Sequence, residues 1–156
     1  MLAGPMALLL AAALGSCGGS GEVTASIPGG ADPADLAVIT RWVDALDRGD
    51  LDAAAGYFAL PSVAENPPVV VHITTRRQAR AFNATLPCGG HVIRASSAGR
   101  FTTATFRLDE RPGPGRCGAG AGGLAKATFV IRAGKIVQWR RVGVGGGERP
   151  APSPTV

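Results

Sequence analysis

Aromatic rings, imidazoles and lysines are all scarce in this chain of 156 residues, and each shortage narrows what the protein does. Five Phe, two Trp and one Tyr are the whole aromatic complement. A core otherwise built from Ala, Val and Leu needs those few rings near its centre, so they are expected to be core residues. The only imidazoles are His72 and His91. Neither stands at metal-ligand spacing from a cysteine or from the acidic group Asp44, Asp47, Asp50 and Asp52, so no metal site and no cofactor is implied. Lysine is reduced to two residues against fourteen arginines, a bias of the kind a GC-rich genome produces. The net charge is +5, but the arginines are scattered from Arg41 to Arg149 without interleaved aromatics, and no nucleic-acid partner follows from them.

Long apolar runs are also lacking. Met6 to Leu14 is uncharged and apolar over nine residues, too short to span a bilayer but of the length of a signal-peptide core. No Lys or Arg precedes it, where export signals usually carry one. Its last residue and the three that follow, Leu14-Gly15-Ser16-Cys17, resemble a bacterial lipobox: a branched apolar residue, two small ones, then the cysteine that is lipidated. The resemblance implies a signal peptide over 1–16 and a protein held by lipid on Cys17 at the extracytoplasmic face of the cell membrane. Several alkyl chains at about 0.8 kcal/mol per buried CH₂ make such anchoring stable. Cys17-Gly18-Gly19-Ser20-Gly21 suits a flexible tether, expected over 17–32, and the Gly- and Pro-rich end, 143–156, reads as a disordered tail.

With Cys17 set aside, Cys88 and Cys117 remain as an even pair in an oxidising compartment, and a disulfide is expected between them. Both lie in Gly/Pro-rich turns, where bends can bring two Cα atoms within bridging distance. Closing that loop would stabilise the fold by roughly 3.5 kcal/mol in the loop-entropy picture.

Between tether and tail, 33–142 reads as one domain. Asp32 and Pro33 signal the start of a helix carrying Leu36, Ile39, Val43 and Leu46, ended by Gly49. A second, shorter helix is predicted after Asp50, burying Leu51, Ala54, Ala55 and Phe58 and stopping before Pro61. Val69 to Ile73 has strand composition, and a third helix follows from a cap at Thr74 or Thr75, through Phe82 to Leu86, before Pro87. The period then changes to two. Strands are predicted over His91 to Ser97, Phe101 to Leu108, Leu124 to Arg132 and Lys135 to Val142, with Ala133-Gly134 a tight hairpin. Helices followed by antiparallel strands indicate an α+β domain with the helices on one face of a curved sheet, and a pocket can open between the layers.

Arg41 to Phe82 contains a helix broken by Asp47-Arg48-Gly49-Asp50, a helix end at Phe58, a strand at Glu65-Asn66-Pro67, and a third helix around Arg76. Thr128 to Arg140 adds a strand, a G-K-I turn and a returning W-R. In order and spacing these resemble the NTF2-like superfamily, SnoaL-like branch, over about Asp35 to Val142. The resemblance implies a cone-shaped fold and a superfamily that holds isomerases, cyclases and dehydratases beside domains without activity. Its ketosteroid isomerase pattern uses a Tyr, an Asp base and a protonated Asp. By ungapped comparison Trp42 and Asn66 stand at the first two of those positions, and Asn cannot serve as a general base. Counting back from the G-K-I turn puts Lys126 at the third, although strand alternation makes Ala127, Phe129 and Ile131 the better core face, and neither register supplies a carboxylic donor. Glu65, neighbouring Asn66 on the opposite strand face, is expected to meet solvent or an Arg.

What remains is a candidate pocket of Trp42, Phe58, Phe82 and Trp139, with Asn66 as an orienting polar contact. The function it suggests is a non-catalytic binding module for a small apolar ligand or an envelope protein partner. The alternative is an isomerase, cyclase or hydrolase with a different acid/base site. A homodimer through the outer face of the sheet is a further expectation.

Overall fold

The computed structural model describes residues 28–144. Cys17, the residues around it and all but the first two residues of the expected tail lie outside that range.

Helix α1 runs from Pro33 to Asp47, and the Asp32 carboxylate starts it by accepting hydrogen bonds from the amides of Ala34 and Asp35 at 2.8 and 3.1 Å. Its inward stripe is Val38, Ile39, Trp42, Val43 and Leu46. Gly49 ends it at φ +71°, and a Cβ there would lie 2.7 Å from the carbonyl oxygen of Pro112, so both backbone and space require glycine. Asp50 then caps α2, Leu51–Gly56, through the amide of Ala53. Helix α3, Arg76–Ala84, opens on a capping box in which Thr75 and Gln78 satisfy each other's backbone amides. It stops short of Leu86, whose amide bonds back to Asn83.

One seven-stranded sheet takes up most of the rest. In chain order its strands are β1 (Gly29–Gly30), β2 (Phe58–Asn66), β3 (Val69–Ile73), β4 (Cys88–Ala98), β5 (Phe101–Glu110), β6 (Leu124–Arg132) and β7 (Lys135–Val142). In space the order is β1-β4-β5-β6-β7-β2-β3, antiparallel except for β1 against β4 and β2 against β7. The α+β class expected from the pattern of periods is the class found. Ala133 and Gly134, at φ 48° and 70°, form the β6–β7 turn, whose two positive φ values match the twist of a hairpin.

Two segments differ from expectation. Phe58 does not end α2 but begins β2, a strand that helix-type reasoning about Pro61 conceals. Between Phe58 opposite Ile136 and Val63 opposite Gln138 the β2–β7 register shifts, and Pro61 falls inside that irregularity, where a missing N–H costs the ladder nothing. The last part of the expected tether is also ordered. Gly29 and Gly30 pair in parallel with Ala95 and Ser96, so close that a Cβ on Gly29 would overlap the carbonyl of Ala95.

The sheet's inner face and α1 enclose the core. Trp42 is its hub, in edge-to-face contact with Phe58, Phe106, Phe129 and Trp139 at 5.6 to 6.5 Å, while Phe82 touches Phe58 and Trp139. Both tryptophans and four of the five phenylalanines thus meet in one cluster, as their scarcity implied. The Trp42 indole donates at 2.9 Å to the Oδ1 of Asn83, which is wholly buried and donates in turn to the carbonyl of Ala79. At the other end of α1, Thr102 donates to the Asp35 carboxylate at 2.6 Å and shares a hydrogen bond with Ser97, fixing the helix start to the sheet.

Candidate functional site

Between α1 and the sheet the side chains do not fill the space, and a cavity of about 300 Å³ remains. Residue size is the cause. On β6 the inward positions are Ala125, opposite Phe106, and Ala127, opposite Arg141. Alanines cannot reach Val43 and Leu46 on α1, so Trp42 and Trp139 form one end of an open volume. Leu86, Pro87 and Cys88, leading from α3 into β4, close one side together with Cys117.

That side is held by three devices. Cys88 and Cys117 are joined in a disulfide, with their Cα atoms 4.6 Å apart. The Glu110 carboxylate accepts hydrogen bonds from the amides of Cys117 and Gly118 at 3.1 and 2.7 Å. Arg111, only 6% exposed, turns its guanidinium onto backbone, with Nε and Nη2 donating to the carbonyl of Leu86 and Nη1 to that of Pro112. Burial pulls its pKa below the ordinary guanidinium value, and no carboxylate forms an ion pair with it among the described residues. Arg111 is a buried cation that fastens the segment after β5 to the link between α3 and β4.

The chemistry of the wall is one-sided. Among the described residues that line the cavity, Lys126 and Arg141 are the only charged side chains, and none is Asp, Glu, His, Ser, Thr, Tyr, Asn or Gln. The two cysteines are joined, which removes the thiol as a nucleophile. Strand alternation directs Ala125 and Ala127 inward and Lys126 toward the outer face, whereas Arg141 shares the inward side of β7 with Trp139. The Trp139 indole N–H is buried without an acceptor among the described residues. Such a wall can hold an apolar body and offers hydrogen-bond donors, but it brings no carboxylate or imidazole to a bound molecule to move a proton.

Of the residues singled out from the sequence, Trp42 and Trp139 line the cavity, while Phe58 and Phe82 stand behind them, packed on their rings. Asn66 is half-buried at the end of β2, paired with Val69, and does not line the cavity. The polar partner inside the core is Asn83 instead. Glu65 lies on the outer face and accepts from Arg140 Nε at 2.7 Å and Gln138 Nε2 at 2.9 Å. The hydrogen bond from Arg140, aided by Gln138, holds its carboxyl below the usual range. His91 has a partner that spacing did not reveal, Asp109 at 3.2 Å across β4 and β5, and neither histidine borders the cavity. Arg141, Leu86 and Arg111 escaped sequence reasoning. Arg141 alone carried a signal, being two residues beyond Trp139 on the same strand.

No family model matches the chain, and no curated protein sequence does. Solved structures do. A protein from Sinorhizobium meliloti called a polyketide cyclase superposes with a TM-score of 0.52 at 17% identity, over 68% of this chain and 94% of that one. One from Kribbella flavida called a ketosteroid isomerase gives a TM-score of 0.53 at 17% identity, over 76% and 84%. An NTF2-like protein of unknown function from Burkholderia xenovorans gives 0.52 at 18%, over 75% and 88%. At these identities the likeness establishes the fold, an NTF2-like cone, and leaves the chemistry to the residues of this chain.

Proposed function

We propose that this chain is a non-catalytic binding domain for a small, mostly apolar molecule, carried outside the cell and anchored there by lipid on Cys17. One observation carries the binding half of the proposal: an open volume of about 300 Å³ whose described lining holds both tryptophans and no acid, imidazole or hydroxyl. That volume is at the lower end of ligand cavities, and its predominantly apolar wall is what a ligand site requires. The anchoring half is supported by the lipobox at Leu14 to Cys17 and agrees with the disulfide, a bond that persists in oxidising compartments.

A second reading is favoured by two of the structural neighbours, one called a polyketide cyclase and one a ketosteroid isomerase. It makes the chain an enzyme of isomerase, cyclase or hydrolase type. Such an enzyme would need an acid or base to reach the cavity from outside its described wall, since by sequence comparison Trp42 and Asn66 stand where the isomerase pattern has its Tyr and its Asp base, and neither Lys126 nor the alternative core positions Ala127, Phe129 and Ile131 supply its second Asp.

Native mass spectrometry of the protein purified from the envelope of its own host separates the two readings. A retained small molecule, released unchanged on unfolding, is the outcome expected of a binding domain. Conversion of that molecule by fresh protein would replace the binding reading with the enzymatic one.

A further inference from the structure

The cavity has a polarity that the proposal above does not use. Trp42 and Trp139 at one end are 3% and 4% exposed, while Arg141, on the same side of β7 as Trp139 and opposite Ala127, is open to solvent. The volume therefore runs from an aromatic floor to a charged rim. Arg141 makes no ion pair with any described carboxylate, whereas its neighbour Arg140 pairs with Glu65 on the outer face. Among the described lining, the hydrogen-bonding side chains on the inward side are all donors, the two indoles and Arg141, Lys126 being directed to the outer face. The Trp42 indole is already committed to Asn83. Inward side chains that offer only donors, one of them a cation, are complementary to an acceptor of negative charge. A guanidinium is the side chain best shaped to hold one, because its planar fork matches a carboxylate.

We infer that the cavity takes an amphipathic carboxylate, its apolar body against Trp42 and Trp139 and its anionic end on Arg141 at the rim. This rests on the reading of the cavity as a ligand site. The assignment follows from what lines the volume and from which end meets solvent. It excludes cationic amphiphiles, which would place their charge beside Arg141 with no described acid to offset it.

Octanoate, octanol and octylammonium share one apolar chain and differ in the charge of the head, so together they read the rim separately from the floor. The chain's only two tryptophans both line the cavity, and their intrinsic fluorescence reports occupancy by any of the three. The expected result is octanoate bound more tightly than octanol, octylammonium bound most weakly, and an octanoate affinity that falls with added salt. Arg141→Ala is expected to weaken octanoate about five- to tenfold and leave octanol unchanged, the size of effect a charge-assisted hydrogen bond at a solvent-exposed rim produces. Arg94→Ala removes the same charge from an exposed position on β4 and is expected to alter neither.

Octanoate and octanol binding equally, with Arg141→Ala silent, would overturn the anionic end and leave the apolar cavity standing. A response to none of the three probes overturns the inference together with the reading on which it rests. Binding to phosphatidylglycerol vesicles with no response to octanoate would also overturn it, in favour of contact with a lipid headgroup. Circular dichroism of each variant separates lost binding from lost fold.

Discussion

Asn83 shows how much a single polar residue can organise. It is wholly buried on α3, accepts from the indole of Trp42 and donates to Ala79, and so joins the third helix to the ring at the centre of the aromatic cluster. Asn83→Ala would leave the Trp42 N–H buried without an acceptor and open a small void beside it. A loss of about 2 kcal/mol in urea unfolding is expected, well above what an exposed Asn would cost. Glu65 makes a different contribution, one that depends on pH. Its carboxyl is held below the usual range by Arg140, so its stabilisation is present above the unfolded-state pKa and is lost as pH falls through the folded one. Glu65→Gln should therefore lower the melting temperature near neutrality, and the gap to the parent protein should close as the solution becomes acid. A gap that persists in acid would point to lost packing instead. The role of Asn83 was not legible in the sequence, and of Glu65 only the expectation of solvent or an Arg was, because which residue of a distant element arrives opposite depends on the fold. The Trp42 and Trp139 positions were legible, because large rings in a chain poor in them have few places to go.

At the level of elements, periodicity located most of the fold. The boundaries of β6 and β7 coincide with the alternating runs from which they were expected, and all three helices begin at the caps their first residues suggest, Asp32, Asp50 and Thr75. The first part of β2 was concealed because Pro61 breaks its pattern and Phe58 continues the spacing of α2; at Phe58 the partner is β7, in parallel, and parallel partners leave no local turn to read, whereas Ser62 to Asn66 also pair antiparallel with β3. The cavity was foreseeable as a gap between layers but not as a volume. Its size depends on Ala125 and Ala127 standing opposite Phe106 and Arg141, which is a matter of register. Ala127→Leu should fill part of that space: tryptophan fluorescence should no longer respond to octanoate, while far-ultraviolet circular dichroism stays that of the parent. Binding that survives the substitution would place the ligand elsewhere.

For the whole molecule, compartment and anchoring are the matters that reach furthest. Cys17→Ser should prevent metabolic labelling with an alkyne fatty acid and move the protein from the membrane fraction to the medium or periplasm, with the domain still folded. Label incorporated into that variant would reject the lipobox reading. Association between copies has a sign that charge decides. On the outer face Arg94 and Lys126 lie in one row across β4, β5 and β6, with Arg107 beside it. A two-fold contact through that face would bring two positive patches together. Sedimentation should find any such dimer favoured by added salt, and a dimer that salt dissociates would lie on another surface.

The short pairing of Gly29 and Gly30 with Ala95 and Ser96 sets the point from which the domain hangs. The chain enters at the edge of the sheet beside β4, and only eleven peptide steps separate Pro28 from Cys17. Fully extended, they reach about 40 Å. Were Cys17 to carry lipid, as proposed, the domain would be moored within about its own width of the bilayer.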